Sequence, residues 1–301
     1  MRGARATRLL MKRNYDVASL HDPEMLPAAI IATLVGRTIV FDVHENIPAQ
    51  IRTKDWIPAL LRRPIAWLAG RLLTVSERRM ALTLAEAGYR DLFADEHPVF
   101  PNYLRSDPPL PAAADDAVGV VYLGDVTEAR GLALAVEAVA GAGASVITIM
   151  GRCKPDFKAR LLETGSRHGL RIELRGFVNP AEALEIAARG RVGLSPLLDT
   201  PNYRASLPTK VLEYLAVGLP TVASDLPGTR DVVGDKPGVV LVPPGDLGAW
   251  QAAIRNAIND QTLRAEAAAG AAAIKSDYVW PASAVRDFYR DLLGESAPTD
   301  C

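Results

Sequence analysis

Short apolar runs alternate with longer amphipathic runs along this chain. In the first hundred residues, YDVASLHD and RTIVFDVHE read as buried strands, because both are compact apolar runs that end in polar residues. A helix is predicted between them, opened by Pro23 and closed by Gly36. Further along, residues 72–77 (LLTVSE) are predicted as a strand, RRMALTLAEAGY as a helix, and HPVFPN as a last short strand. This alternation indicates a parallel sheet covered by helices on both faces.

The alternation is interrupted by SDPPLPAAADDA, at residues 106–117. Its Pro, Ala and Asp content has no periodicity and is typical of a linker. Beyond it, strands and helices alternate again to about residue 278, and a last helix follows. We therefore expect an α/β protein with a first domain over residues 1–106, a second over 107–278, and a closing helix with its tail over 279–301. A length of 301 residues suits two such domains.

Composition narrows the classes of function. The formal net charge is −1, with 34 basic and 35 acidic residues, so no nucleic-acid partner is expected. The two cysteines are too few for a disulfide framework or a metal knuckle, and a cytoplasmic location is the default. We also find no signal peptide and no apolar run of membrane-spanning length.

The first residues are locally basic. Five cations surround Leu9, Leu10 and Met11, namely Arg2, Arg5, Arg8, Lys12 and Arg13. Such a helix could lie on an anionic membrane surface as a peripheral contact, or it could be a solvated helix at the chain end. Both interpretations stay open from the residues alone.

Three loops of the second domain follow strand ends and suit an anion, because ligands of open parallel sheets sit at the carboxyl ends of the strands. The first is YLGDVTEARGL, with Gly124 and Arg130, and the second is IMGRCKPD. The third begins at Pro208, which suits a first helical turn. Its free backbone amides are expected to point at an anion, and they belong to Thr209, Lys210 and Val211.

Lys210 and Glu213 are three residues apart and so share one face of this helix. Lys210 would add a charge where a diphosphate rests, and Glu213 would accept hydrogen bonds from the vicinal hydroxyls of a ribose. The alternative is a local Lys–Glu pair on a solvated face, which contributes a few tenths of a kcal/mol.

The order and spacing of several motifs resemble the family 4 glycosyltransferases, which are retaining enzymes with the two-domain GT-B fold. The resemblance covers nearly the whole chain, and its motifs are HDPEMLP, FDVHENIP, LLTVSE, YLGDVTEARGL, LRGFVNPAEAL, VGLSPL, LPTKVLEYLAVGLPTVASDLPG and VVLVPPGD. It implies transfer of a sugar from a nucleotide-diphosphate donor with retention of configuration. It also implies no cofactor and no metal, and we find no metal-ligand cluster in the sequence. The last helix is expected to cross back onto the first domain, as in that fold.

The resemblance also implies roles for individual residues. His44, Arg130 and Lys210 are the expected catalytic residues, with His44 facing the transferred sugar and the two cations holding the diphosphate. The family has Lys at the Arg130 position and a further Arg where Asp125 stands here. The expected donor-binding residues are Gly124, Phe177, Val178, Ser195, Asp199, Leu207, Thr209 and Glu213. Among these, Phe177 and Val178 would hold the base, Glu213 the ribose, and Asp199 the sugar.

Two departures leave alternatives open. Ala205 stands where the family motif has a sugar-binding acid, and Asp199 is the proposed substitute. The first domain also begins late, by about 60 residues on our estimate, since each strand–crossover–strand unit needs roughly 30 or more. A non-catalytic nucleotide-sugar-binding partner, with a second copy or another chain covering the sheet edge, is therefore the main alternative. An epimerase on the same fold and a Rossmann dehydrogenase fit less well.

The sequence does not encode the base, the sugar or the acceptor in a readable form. A lipid-linked acceptor, a growing polysaccharide and a small molecule all remain open. His21, in HDPE, is expected to be a turn residue.

Overall fold

The computed structural model describes residues 7–12, 14–53, 57–105, 110–114, 116–207 and 209–294. Its contacts divide the chain into two compact units. The first consists of the residues up to Asn102 together with those from Trp280 onward, and the second is Tyr103–Val279. The sequence boundaries had been placed at 106/107 and 278/279. Part of the expected linker, residues 106–109 and 115, lies outside the described residues.

The first unit is built on a three-stranded parallel sheet in the order β1-β2-β3. Its strands are β1 (Val17–Leu20), β2 (Thr38–Val43) and β3 (Ala81–Leu84). The connections carry a 3₁₀ turn (Pro23–Met25), α1 (Leu26–Leu34), α2 (Ile47–Thr53), α3 (Ala59–Glu77) and a second 3₁₀ helix (Ala87–Leu92). Parallel strands need such crossovers, which explains why a helix lies between each pair.

Residues 72–77, predicted as a strand, belong to helix α3, so that prediction was wrong. The buried positions of α3 are Ala66, Leu73 and Ser76, spaced seven and three residues apart, which is one helical stripe. The strand follows at β3, inside the segment predicted as a helix, where Leu82, Thr83 and Leu84 are buried. The run HPVFPN makes only an isolated bridge between Leu84 and Val99 instead of a strand. A short apolar run fits either period, and here tertiary packing decided.

The second unit holds a six-stranded parallel sheet in the order β6-β5-β4-β7-β8-β9. Its strands are β4 (Val120–Leu123), β5 (Val146–Met150), β6 (Arg171–Gly176), β7 (Val192–Ser195), β8 (Thr221–Ser224) and β9 (Val239–Val242). Its helices are α4 (Leu132–Gly141), α5 (Pro155–Arg167), α6 (Pro180–Ala188), α7 (Pro201–Arg204), α8 (Thr209–Ala216), α9 (Pro227–Val233), α10 (Leu247–Asn259) and α11 (Gln261–Asp277). Among its largest fully buried side chains are Trp250, Tyr122 and Tyr214.

The strand order reverses between β4 and β7. From β4 the chain proceeds outward to β5 and β6, then returns to β7 and proceeds the other way. The two central strands are paired only at Val120–Val192 and Val121–Gly193, so they separate towards their carboxyl ends. A reversal of this kind opens a crevice at the carboxyl ends, where ligands of doubly wound sheets bind.

The last helix is α12 (Ala282–Leu293). It groups with the first unit, and the ring of Phe288 meets that of Phe100 edge-on at 5.7 Å between centroids. None of the helices in the described part of the chain is both long and apolar enough to cross a membrane.

Candidate functional site: a cationic cluster where the second sheet reverses

Glycines bring the loops after β4, β5 and β7 into direct contact. Gly131 has φ +73°, and a Cβ there would lie 1.8 Å from the carbonyl oxygen of Pro196. Gly151 has φ +156°, and its Cβ would meet the carbonyl oxygen of Gly124 at the same distance. Any side chain at either position would push the loops apart, so the compact strand-end surface depends on these two glycines.

Lys210 reaches across this surface from the second residue of α8. Its Nζ lies 3.3 Å from the Tyr122 hydroxyl and 4.6 Å from the centroid of that ring. The Tyr122 hydroxyl is itself held in place, because it donates a hydrogen bond to the carbonyl oxygen of Asp125 at 2.9 Å. The ammonium group is therefore held over β4, at the point where the strand order reverses.

Gly124, Lys210 and Arg130 converge. A Cβ built on Gly124 would lie 3.4 Å from Lys210 Nζ, 3.5 Å from the Tyr122 hydroxyl and 3.6 Å from Arg130 Nη1. Gly124 has φ +128°, which glycine adopts without strain. Its lack of a side chain leaves a small space walled by one ammonium and one guanidinium group. Two cations facing one space bind an anion well.

Lys210 and Glu213, both described residues, do not form an ion pair within 4.0 Å of each other. The Lys210 ammonium turns to Tyr122 instead. This arrangement disfavours the alternative of a local Lys–Glu pair on a solvated face. Glu213 lies one turn further along α8 and is only partly exposed.

The environment disfavours the charge on both residues. Burial first and the nearby Arg130 guanidinium second lower the pKa of Lys210, and with the opposing attraction of Glu213 included the pKa is about 7. Burial raises the pKa of Glu213, and with the partial offset by the Lys210 charge included the pKa is about 7. Groups whose pKa values are moved this far in a strand-end crevice are typical of ligand-binding sites.

One predicted amide donor is not available. The backbone N–H of Thr209 donates to the carbonyl oxygen of Leu207 at 2.9 Å, so the expectation that this amide points at an anion was wrong. The tight turn before α8 folds this amide back on its own chain. Leu207 packs with its side chain against an apolar cluster around Leu212. Pro208, predicted to open the helix, lies outside the described residues.

The predicted base-binding pair differs in exposure. Phe177 is 69% exposed, and the Arg152 guanidinium lies 5.1 Å from its ring centroid. Val178 is partly buried and packs against a core cluster. Both follow β6, and Arg152 lies in the loop just after the neighbouring strand β5. The ring of Phe177 and the guanidinium plane together offer an exposed stacking surface.

Asp199 and Ser195 have different surroundings. Ser195 ends β7 and is buried, with 2% of its surface exposed. Asp199 is exposed and pairs with Arg204 of α7, with Oδ1 2.9 Å from Nε. The carboxylate therefore has a cationic partner in this structure, and its role as a sugar ligand stays a prediction.

His44 belongs to the first unit and has three polar neighbours. Its Nε2 lies 2.8 Å from Asp42 Oδ2 and 3.1 Å from His21 Nδ1, and its Nδ1 lies 3.3 Å from Asn102 Nδ2. The hydrogen bond that His44 donates to the Asp42 carboxylate raises the pKa of His44. Its role towards a sugar stays a prediction.

Reasoning from the sequence missed Tyr122 and Tyr214. The hydroxyl of Tyr214 accepts from the backbone N–H of Leu123 at 2.7 Å, where the pairing of β4 with β7 has ended. Both tyrosines read as ordinary core positions, and only the strand order shows that they meet at the reversal point. His21 was assigned to a turn, and the absence of a ligand cluster was expected. The structure brings His21, Asp42 and His44 together instead.

Solved structures with the same fold are glycosyltransferases of the GT-B type. A sucrose-phosphate synthase from Thermosynechococcus elongatus aligns with a TM-score of 0.74 at 17% identity, covering 97% of this chain and 77% of that one. Anabaena HepE in complex with UDP and glucose aligns at 0.72 and 16%, covering 97% and 80%. The protein thus has the GT-B fold, with two Rossmann-like units.

Sequence comparison agrees with the fold. Residues 117–260, most of the second unit, match the family model "Glycosyl transferases group 1". A phosphatidyl-myo-inositol mannosyltransferase of Mycobacterium leprae (strain TN) is 26% identical over 284 residues, covering 92% of this chain and 73% of the relative. Together these matches support a glycosyltransferase.

Proposed function

We propose that the protein transfers a hexosyl group from a nucleotide-diphosphate sugar to an acceptor, with retention of the anomeric configuration. The convergence of Lys210 and Arg130 on the bare backbone at Gly124 carries the proposal. This space lies at the strand-order reversal, and Glu213 lies one turn further along the same helix. The diphosphate occupies the cationic space, and the Glu213 carboxylate accepts hydrogen bonds from the ribose hydroxyls.

The chemistry follows from where charge develops. As the bond between the sugar and the phosphate breaks, the departing diphosphate gains negative charge, and the sugar becomes an oxocarbenium-like cation. Lys210 and Arg130 stabilise the leaving group without having to reorganise. The pKa of Lys210 is about 7 before the anion binds, and the negative charge of the diphosphate raises it. Lys210 is therefore fully protonated, and most stabilising, when the diphosphate is bound. Retention is inferred from the family resemblance and requires attack from the face that the diphosphate leaves. The acceptor hydroxyl then bonds to the sugar carbon as its proton passes to an oxygen of the departing diphosphate.

A donor screen tests the proposal. Calorimetry with UDP, GDP and their sugars identifies the base, and transfer to candidate acceptors is then measured for the wild type, Lys210→Ala and the control Lys158→Ala. Lys158 is exposed on α5. Removing one charge-stabilising donor should lower kcat about 100-fold to 1,000-fold in Lys210→Ala and leave the control unchanged. The anomeric configuration of the product, read by NMR, tests retention. Equal turnover of Lys210→Ala and wild type would refute the site.

A lipid-linked acceptor is the most specific proposal that the first unit supports. The outward face of α3 is apolar, and three of its side chains are unusually exposed: Leu60 at 91%, Trp67 at 67% and Leu68 at 54%. Residues 59–76 contain three arginines and no acid, and the guanidinium of Arg71 lies 5.9 Å from the Trp67 ring centroid. An apolar, tryptophan-bearing helix face flanked by arginines suits the interface of an anionic membrane. The mannosyltransferase relative also takes its name from a phospholipid.

The structure describes only residues 7–12 of the predicted basic N-terminal helix, and the exposed apolar face of those residues is small. Arg2, Arg5 and Arg13 lie outside the described residues, and Leu10 is buried, whereas Leu9 and Met11 are exposed. We propose peripheral contact through α3 rather than through the first residues.

Vesicle binding tests this surface. Flotation with vesicles of phosphatidylglycerol and phosphatidylcholine should show binding only where the lipid is anionic. Trp67→Ser and Leu60→Ser should each weaken it about tenfold, since each removes a large apolar side chain from the membrane. Val118→Ser is the matched control, because Val118 is 70% exposed but lies in the second unit. Equal loss in the control, or no preference for anionic vesicles, would reject the surface.

Ala205 and Asp125, which replace an acid and a cation of the family pattern, add support to the alternative of a non-catalytic nucleotide-sugar-binding partner. The two hypotheses share donor binding and differ in turnover. Tight donor binding with no transfer to any acceptor, restored by a second polypeptide, would favour the partner. A homo-oligomer would appear in sedimentation of the same sample.

A further inference from the structure

A second cluster of polar side chains lies in the first unit, at the carboxyl ends of β1 and β2. Asp42 is in β2, His44 follows that strand directly, and His21 follows β1. Residues two apart on a strand share a face, so Asp42 and His44 point the same way. The last paired residues of β1 and β2 are Leu20 and Phe41, so the next residues of the two strands, His21 and Asp42, lie side by side.

Three atoms of this cluster form a nearly equilateral triangle. Asp42 Oδ2 lies 2.8 Å from His44 Nε2 and 3.1 Å from His21 Nδ1, and the two ring nitrogens are 3.1 Å apart. Each ring nitrogen has one in-plane lone pair or N–H, so it makes a hydrogen bond in one direction only. Here each has two polar neighbours. A single ion above the triangle is reached by all three atoms at once.

We infer that His21, Asp42 and His44 bind a divalent first-row transition-metal ion. Ligands at about 2.1 Å on adjacent octahedral corners lie about 3.0 Å apart, whereas tetrahedral ligands lie about 3.4 Å apart. The three measured distances fit the octahedral value. Two imidazoles and one carboxylate on one octahedral face suit Mn²⁺, Fe²⁺ or Co²⁺. Zn²⁺ prefers tetrahedral sites but binds imidazole and carboxylate ligands tightly enough to serve as a probe, whereas Mg²⁺ prefers oxygen ligands.

The surroundings hold the ligands in place. Thr83 donates from Oγ1 to Asp42 Oδ1 at 2.8 Å, which leaves Oδ2 for the ion. The Tyr89 hydroxyl donates to the carbonyl oxygen of His44 at 2.8 Å and fixes the backbone there. The amide nitrogen of Asn102 lies 3.3 Å from His44 Nδ1, on the side of the ring away from the cluster, and helps to fix the orientation of the ring. Such partners of ligand atoms fix ring orientation and raise affinity.

The cluster is open to solvent on one side. The side chain of His21 is 61% exposed and that of His44 33%, while that of Asp42 is 19% exposed. An octahedral ion held by three protein atoms keeps its other corners for water or an oxygen ligand. The site would also join the loops after β1 and β2. Metal binding by His44 competes with the sugar-facing role implied by the family resemblance, because one Nε2 lone pair cannot serve both.

Direct metal binding tests the inference. The full-length protein, freed of metal with a chelator, is titrated with Zn²⁺ and with Mg²⁺ in a calorimeter. We expect one Zn²⁺ per chain and no Mg²⁺. His21→Ala should weaken Zn²⁺ binding at least 100-fold, since even the loss of a supporting residue costs 10-fold to 100-fold. The control is His168→Ala, because His168 is exposed and far along the sequence in the second unit.

Two further measurements make the result decisive. Co²⁺ in place of Zn²⁺ should give the weak visible absorption of an octahedral ion, and His21→Ala should abolish it. Because His21 is largely exposed, this variant should fold normally and should bind nucleotide diphosphates as the wild type does, which separates the metal site from the donor site. Zn²⁺ binding that is absent in the wild type, or equal in His21→Ala and His168→Ala, would overturn the inference.

Discussion

Lys210 is held where its charge is unfavourable, so we predict that Lys210→Met makes the protein more stable while abolishing nucleotide-diphosphate binding. Methionine keeps much of the length of the side chain and removes the ammonium group. A residue retained for packing alone would lose stability on this change. A residue retained for an anion gives up stability for function.

The magnitude follows from the pKa. The pKa of Lys210 falls from 10.5 to about 7 in the folded protein, which corresponds to an upper bound of about 5 kcal/mol at 1.36 kcal/mol for each pH unit. Lys210 stays partly exposed and loses its attraction to Glu213 on substitution, so we expect a gain of about 1–3 kcal/mol at pH 6. Between pH 7 and 10.5 the unfolded chain binds more protons than the folded one. Wild-type stability therefore rises with pH in this window, and the advantage of the variant shrinks.

Urea unfolding at pH 6, 7.5 and 9 measures both effects, with Lys158→Met as the control on an exposed lysine. The expected result is a higher midpoint for Lys210→Met at pH 6, a smaller difference at pH 9 and no change in the control. Calorimetry with the nucleotide diphosphate should show affinity lowered at least 100-fold. The reasoning is refuted if Lys210→Met is no more stable than the wild type at pH 6, or if the difference does not vary with pH.

Three further changes test other parts of the site. The pKa of Glu213 is raised to about 7 by burial, and a bound ribose favours its ionised form, so wild-type affinity for the nucleotide should fall below pH 7. Glu213→Gln should bind the nucleotide more weakly and lose this pH dependence. If calorimetry shows that the affinity of the variant still falls at low pH, Glu213 is not the cause. Gly124→Ala places a methyl group beside Lys210 and Arg130, at φ +128°, and should weaken diphosphate binding about tenfold or more. The control Gly169→Ala, at φ +67° in open space, should lower stability without affecting binding. Equal losses of binding in the two variants would contradict this description of the site. Phe177→Ala should weaken the binding of a nucleoside diphosphate about tenfold, because the base loses its stacking partner, and should leave pyrophosphate binding unchanged. An equal effect on both ligands would argue against a contact between Phe177 and the base.

Much of the second unit could be predicted because its signals are local. Its strands are apolar runs bounded by glycine or polar residues, and its helices begin at proline or a capping side chain, as at Asn179 and Asp246. The first unit was harder at α3, where LLTVSE fits a strand by composition. Whether such a run becomes helix or strand depends on which neighbour buries it, and that neighbour is far along the chain.

The candidate donor site was predictable to the level of Lys210, Arg130 and Gly124, because strand ends and helix starts can be read from the sequence. Their convergence could not be read. Lys210 and Tyr122 are 88 positions apart, and they meet only because β4 and β7 are neighbours at the reversal. The bond between Thr209 and Leu207 escaped prediction for a related reason, since the path of one tight turn depends on what packs around it.

The sequence by itself determined the order of strands and helices in the second unit, the placement of Lys210 and Glu213 on one helix face, and the resemblance to a GT-B enzyme. These are properties of neighbouring residues, which periodicity and spacing express directly. The tertiary structure alone decided that Lys210 turns to Tyr122 rather than to Glu213, and that two histidines from different strands share one aspartate. The physical reason is that strand order and register depend on the burial of side chains across the whole sheet, which cannot be read from any short segment of the sequence.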